Sequence, residues 1–277
     1  MFRRELSYNT PYSNELSKTL EREIKLARNI QMKLLNGEKP TIDKGEVSGL
    51  SIPARLIGGD YFDFYVLPNR KVRIVIGDVM GKGIPAAMLM ILTRGAFRSA
   101  SESTKGPGDT LSAMNKALYS DLRTLGSFVT VLCADWDPIT KVLSYASAGH
   151  SFPIVCDSPE KIEELPKTKG VMLGGLPDTS YVENELVLSD ETLVFFYTDG
   201  ITEARNQEGQ MYKKDRLKNT LLKTASQDVN EIEEAIVHSI EIFTNNAPQK
   251  DDITMVLLKV NKDETKITSY NFPVINQ

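Results

Sequence analysis

Histidine and cysteine are scarce in this chain, with two of each in 277 residues. His150 and His238 cannot furnish a zinc site of the usual His/Cys type, and a Ser-His-Asp triad has almost no material. Cys133 and Cys156 stand in or beside strand-like sequence without CxxC spacing. A disulfide framework is therefore excluded, and two reduced, buried thiols are expected. Long apolar runs are missing too. No stretch approaches the roughly 20 apolar residues of a membrane span, and the opening MFRRELSYNTPYS lacks the apolar core of a signal peptide. The expectation is a cytoplasmic protein with no membrane partner. Nor is there a basic surplus: a formal net charge of −4 gives no bulk footprint for nucleic acid or anionic lipid. No internal repeat or low-complexity tract is visible. If the chain is an enzyme, carboxylates have to carry its chemistry.

What is present reads as globular. With 41% hydrophobic and 25% charged residues, the chain can bury a substantial core, and disorder is excluded for most of it. Residues 13–36, SNELSKTLEREIKLARNIQMKLLN, predict a helix of about six turns. Leu16, Leu20, Ile24, Ala27, Ile30 and Leu34 recur at spacings of three and four, with Ser13 or Asn14 as N-cap. Such a stripe packs either on the protein's own core or on a second subunit or signalling partner. Gly and Pro in NGEKPTIDKGE then break the pattern and place a boundary near residue 45. The expected organisation is a helical linker or regulatory segment over 1–45, one domain over 46–262 and a tail over 263–277.

Apolar β-rich runs dominate beyond the boundary: VSGLSIPARLI, YFDFYVL, VRIVIGDV, FVTVLCADWD, VLSYASAG, ENELVLS, TLVFFYTDG and ITMVLLKV. DPIT, Asp137 to Thr140, reads as a hairpin turn. Helices are predicted from Ile84 to about Ala100, from Asp109, as cap, to about Leu125, and from Asn230 to about Thr244. Hairpins with inserted helices predict an α+β fold, two antiparallel sheets with helices outside.

Four acidic positions share one grammar. Gly77-Asp78 ends an apolar run and is followed by Val-Met-Gly-Lys-Gly, which fits neither the phosphate-binding P-loop, one residue short and lacking its Ser/Thr, nor the dinucleotide fingerprint. Gly59-Asp60 follows RLIG, Asp199-Gly200 follows TLVFFYT, and Asp251-Asp252 precedes ITMVLL. Singly, each is an ordinary turn residue. Together they form an all-oxygen set of the kind hard divalent cations prefer, and only the fold can bring them together.

GGDYFD, GDVMGKGIPAAMLM, SAGH, FYTDGITEA and KDDITMVLLKV, in this order and at these spacings, resemble the metal-dependent serine/threonine protein phosphatases, in particular the bacterial branch typified by stage II sporulation protein E and RsbU. The similarity spans about residues 46–260. It implies the PPM phosphatase fold, a β-sandwich flanked by helix pairs, with two Mn²⁺ or Mg²⁺ ions in a carboxylate-rich cleft. Asp60 would bind one ion, Asp78 would bridge both with help from the main-chain carbonyl of Val79, and Asp199 would hold the second. DDIT aligns with the family's Asp-Asn-(Ile/Met)-Thr signature, which points to Asp251, with Asp252 as the alternative one residue on. Asp63 reads as a supporting or structural residue. Water activated between two cations attacks phosphorus without any protein nucleophile, which accounts for a site with so little histidine.

The chain departs from the eukaryotic pattern at Met80, where those relatives place a histidine two residues after the bridging aspartate. His150 of SAGH is either a substitute proton donor or a residue that positions the core. Arg55, five residues before Asp60, has the spacing of the family's phosphate-gripping arginine, against the reading of a solvated arginine. Residues five apart on a regular strand face opposite ways, so a bulge at Gly58-Gly59 would be needed. Lys82 is expected at the rim or exposed rather than bonded to phosphate. The resemblance implies a phosphoserine/phosphothreonine phosphatase acting on a phosphorylated anti-anti-sigma (STAS-type) protein in a partner-switching stress or sporulation pathway, with a homodimer or an activator protein formed through the N-terminal helix. Alternatives are a catalytically inactive relative that binds a partner as sensor or scaffold, and a phosphohydrolase of small molecules.

Overall fold

The computed structural model describes residues 11–35, 39–158, 161–167 and 169–262; the tail expected over 263–277 lies outside them. A helix, α1 (Pro11–Leu35), precedes a sandwich of two five-stranded antiparallel sheets. One sheet runs in the order β1 (Gly45–Ile52), β10 (Ile253–Val260), β9 (Leu193–Tyr197), β6 (Ile154–Ser158) and β7 (Lys161–Glu164). The other runs β2 (Tyr61–Val66), β3 (Val72–Val79), β4 (Val129–Trp136), β5 (Val142–Ala148) and β8 (Asn184–Val187). Helices α2 (Ile84–Ser101) and α3 (Pro107–Thr124) cover the second sheet, and α5 (Lys213–Thr224) and α6 (Val229–Thr244) cover the first. A single turn, α4 (Asp199–Glu203), follows β9. This is the α+β sandwich expected from the sequence. No helix of the described residues is long and apolar enough to cross a membrane.

The unbroken apolar runs are explained by burial on both faces. Along β9, Val194 and Phe196 enter the core beneath the opposite sheet, while Leu193, Phe195 and Tyr197 alternate into the core beneath α5 and α6. In β10, Val256 and Leu258 face the first core, and Met255 and Leu257 the second. Arg73, inside the apolar β3, is fully buried. It stands opposite Asp135 of β4 and donates two 2.7 Å bonds to that carboxylate, with a third to Thr104 Oγ1 at 2.8 Å. Full pairing is what makes a buried charge tolerable.

Several expectations need correction. Residues 53–60 form no strand: β1 stops at Ile52 and the chain runs as bends to β2. Pro53 lacks an N–H, and the N–H groups of Ala54, Gly58, Gly59 and Asp60 bond to side chains instead of a sheet neighbour. Without a regular strand, the phasing objection to Arg55 lapses. Asp109 does not cap α3. The N-cap is Gly106, and the carboxylate serving this helix start is the distant Glu183, which accepts from Gly108 N at 2.8 Å. Helix α1 begins ahead of Ser13 and Asn14, so neither is its cap. Its stripe does not pack on the core over most of its length: Leu16, Leu20 and Ile30 are exposed at 62%, 53% and 61%. DPIT does join β4 to β5, with Asp137 Oδ1 accepting from Ile139 N at 2.9 Å and Thr140 N at 3.3 Å.

Candidate active site

At one end of the sandwich four segments meet: the bends before β2, the end of β3, the β9–α4 junction and the turn before β10. They carry Asp60, Asp78, Asp199 and Asp251 respectively. A cleft of about 260 Å³ is lined by Asp78, Val79, Lys82, Thr130, His150, Asp199 and Asp251, among others. Asp60 is buried and touches Asp78 side chain to side chain.

The acids differ in what holds them. Asp60 Oδ2 accepts from Thr198 Oγ1 at 2.8 Å, and Thr198 Oγ1 in turn accepts from Thr254 N at 3.1 Å. Asp251 is half-open to solvent; its Oδ2 accepts from Lys82 Nζ at 2.6 Å, and the same ammonium reaches the Lys250 carbonyl. Asp252 is buried and points the other way. Its carboxylate accepts from Ala54 N and Gly59 N, both at 2.7 Å, and from Asp60 N at 3.4 Å, so it fixes the segment that carries Asp60. One residue apart in sequence, Asp251 and Asp252 thus have separate work.

Electrostatics reflect the crowding. Burial, then the charges of Asp199, Asp251 and Asp252, pushes the Asp78 carboxyl up to about 7. Burial and Asp78 push Asp60 well above the ordinary range, opposed by hydrogen bonds from Thr254 and Thr198. Asp199 is raised by partial desolvation and by Glu203 and Asp251. Mutually raised carboxyls of this kind share protons when no countercharge is present. Among the described residues, no three carboxylate, imidazole or thiol side chains are arranged to hold a metal ion as they stand. The donor chemistry nevertheless suits hard cations: oxygen ligands only, crowded, with Lys82 the one cation lining the cleft among the described residues.

The remaining sequence candidates fall outside the acid set. Arg55 is exposed and does not line the cleft; it shares a neighbouring hollow with Ile24, Leu56 and Ile84, beside the backbone of Gly83. Lys82 sits at the rim, as expected. Asp63 is paired with Arg98 through bonds of 2.6 and 2.7 Å and with Arg94 at 3.3 Å, tying β2 to α2. His150 is buried, its Nδ1 at 2.9 Å from Thr130 Oγ1, and burial holds its pKa down to about 4. Sequence reasoning passed over Thr198 and Gln31. Thr198 directly precedes Asp199 in a strand-end motif. Gln31 continues the apolar spacing 20-24-27, and a polar residue on such a face is itself a signal.

Comparison with known proteins extends the picture. Residues 68–261 match the family described as Stage II sporulation protein E (SpoIIE). "Phosphoserine phosphatase RsbU" of Bacillus subtilis (strain 168) is 27% identical, over 88% of this chain and 72% of RsbU. "Protein IcfG" of Synechocystis sp. is 29% identical over 84% of this chain, which spans only 41% of IcfG. Among solved structures, the SiaA-PP2C domain of Pseudomonas aeruginosa shares the fold with a TM-score of 0.75 at 24% identity, covering 89% of this chain and 99% of that domain.

Proposed function

The chain belongs to the stage II sporulation protein E (SpoIIE) family, and from that premise we propose that it is a Mn²⁺- or Mg²⁺-dependent phosphatase of phosphoserine or phosphothreonine in a protein. The convergence of Asp60, Asp78, Asp199 and Asp251 from four separate segments carries the reading. The raised carboxyls express a repulsion that divalent cations would relieve. In this reading Asp60 would hold one ion and Asp199 the other, with Asp78 shared between them and Asp251 and the Val79 carbonyl as further oxygen donors. Asp252 fixes the segment carrying Asp60. When bound, the ions supply an activated water and neutralise phosphoryl charge. Lys82, whose ammonium pairs with Asp251 at the rim, would be free to meet an incoming phosphate where Asp251 held an ion. Arg55, beside Gly83, is the guanidinium proposed to join it. His150 is neutral at physiological pH and serves to position Thr130, not to donate a proton.

Similarity to RsbU points to a phosphorylated anti-anti-sigma (STAS-type) protein as substrate, within a partner-switching stress or sporulation pathway. The test is phosphate release from a serine-phosphorylated STAS-type protein. Release should require Mn²⁺ or Mg²⁺, stop with EDTA, and exceed release from nucleotides. No release with either ion would overturn the reading in favour of a non-catalytic partner-binding module.

The exposed Leu16 and Leu20 of α1 suit a second copy of the chain or an activator protein. Leu16→Asp with Leu20→Asp should lower the mass seen by light scattering, or abolish activation by the partner, while the domain stays folded. Unchanged mass together with unchanged activation would remove α1 as an association surface.

A further inference from the structure

We propose that Gln31 is a positioning residue for Asp60, acting through the backbone of Gly58 two residues before it. The inference deepens the phosphatase reading and rests on it where Asp60 is taken to hold an ion. Over residues 15–30, α1 is exposed apart from a partly covered Ile24; at its end Gln31 and Leu35 are buried. Gln31 Nε2 donates to the Gly58 carbonyl at 2.8 Å, and Gly58 N donates to Gln31 Oε1 at 3.1 Å. A carboxamide thus closes a ring with both backbone groups of one residue, as a neighbouring strand would. Only a side chain carrying donor and acceptor on one planar group can do this.

Gly58 lies two residues before Asp60 in the strandless stretch 53–60. The N–H groups of this stretch are answered from two sides: Ala54, Gly59 and Asp60 by Asp252, and Gly58 by Gln31. Gly58 packs so closely on the Asp252 carboxylate that a Cβ would overlap it. A shift of Gly58 is therefore a shift of the group that also holds Gly59 and Asp60. If α1 withdraws, the Gly58 N–H and C=O lose their partners in a buried setting, which is unfavourable unless the stretch moves to find others. The same helix carries exposed apolar side chains toward its other end.

Gln31→Met keeps the length of the side chain and removes both bonds. Three quantities should change relative to wild type. Amide hydrogen exchange over residues 54–60 should speed up by about tenfold or more, Mn²⁺ affinity by calorimetry should fall by about tenfold, and kcat should fall with KM for the phosphoprotein unchanged, since leaving two buried backbone groups without partners costs at least that much. Val72→Ala, buried at the end of β3 away from Asp78, serves as a control destabilised by a different route; its exchange over 54–60 and its Mn²⁺ affinity should stay near wild type. If Gln31→Met does not fold, Gln31→Asn, one methylene short, supplies the same comparison. Wild-type exchange over 54–60, or faster exchange with wild-type Mn²⁺ affinity, would overturn the proposal, as would an equal loss of affinity in the control. If the wild-type protein itself neither binds Mn²⁺ nor releases phosphate, the phosphatase reading has failed. The exchange measurement then still decides whether Gln31 holds the stretch.

Discussion

Asp78→Asn should reduce phosphoprotein turnover by at least about 100-fold, the order of loss seen when a charge-stabilising group is removed from an active site, and should leave the fold intact. Asp78 stands opposite Thr130 in the β3–β4 register, in contact with Asp60 and facing Asp199 and Asp251. Asparagine has nearly the same shape and satisfies the same strand pairing, so a purely structural Asp78 would be nearly silent on substitution. Without metal the sign reverses. The Asp78 carboxyl titrates at about 7 in the fold against an ordinary 3.8, so between those values the folded chain holds more protons than the unfolded one. Stability of the metal-free protein therefore falls as pH rises through that window. Asp78→Asn should flatten the fall and raise the metal-free melting temperature at about pH 8. Saturating Mn²⁺ should restore the advantage to the wild type. Melting scans in chelator and in Mn²⁺, with calorimetry, read all of this. A variant with wild-type Mn²⁺ affinity and more than a tenth of the activity would sink the two-ion assignment.

Gly200→Ala should be nearly as damaging, although helix propensity predicts the opposite. Within α4, alanine is favoured over glycine by about 1 kcal/mol. A Cβ at 200, however, would overlap the Asp252 carbonyl oxygen and come within 3.4 Å of Asp251 Cβ. The obstacle is backbone, so one of two chain segments has to move, at a cost of roughly 1–3 kcal/mol. Both segments carry acids, Asp199 on one side and Asp251 on the other. Misplacement by about 1 Å is worth about 100-fold in rate, so activity should fall further than stability. Urea denaturation and turnover measured together give the answer. A variant at least as stable as wild type, with full activity, would mean that α4 and the β10 turn are not in contact.

The elements readable in the sequence were those whose burial leaves a one-dimensional trace. VRIVIG, TLVFFY and ITMVLL are apolar because each strand is buried on both faces, the last two between two cores, and α2, α3 and α6 carry a full apolar side. Helix α5 was missed because only Leu217, Leu221 and Thr224 are buried in KKDRLKNTLLKT, too thin a stripe to outweigh its lysines. The short β6 and β7 gave too few alternations to register. The acids of the cleft were found by their Gly-Asp and Asp-Gly settings. The different work of Asp251 and Asp252 could not be read, since it depends on which of the two faces the N–H groups of residues 54–60. Nor could the bond of Gln31 to Gly58, which links positions 27 residues apart through a turn of the fold.

The pairing of β1 with β10, Gly45 against Val260 through to Ile52 against Ile253, also dictates an order of events during synthesis. The meander β2–β3–β4–β5 uses neighbours in sequence and can close as soon as Ala148 has left the ribosome. Strand β1 has to wait for a partner on the order of 200 residues later, and contacts of that range are the slow ones to form. Until then Asp251 is unmade, and nothing holds the N–H groups of Ala54 and Gly59. A nascent chain therefore lacks both Asp251 and the bonds that fix residues 54–60 until the last strand has been made.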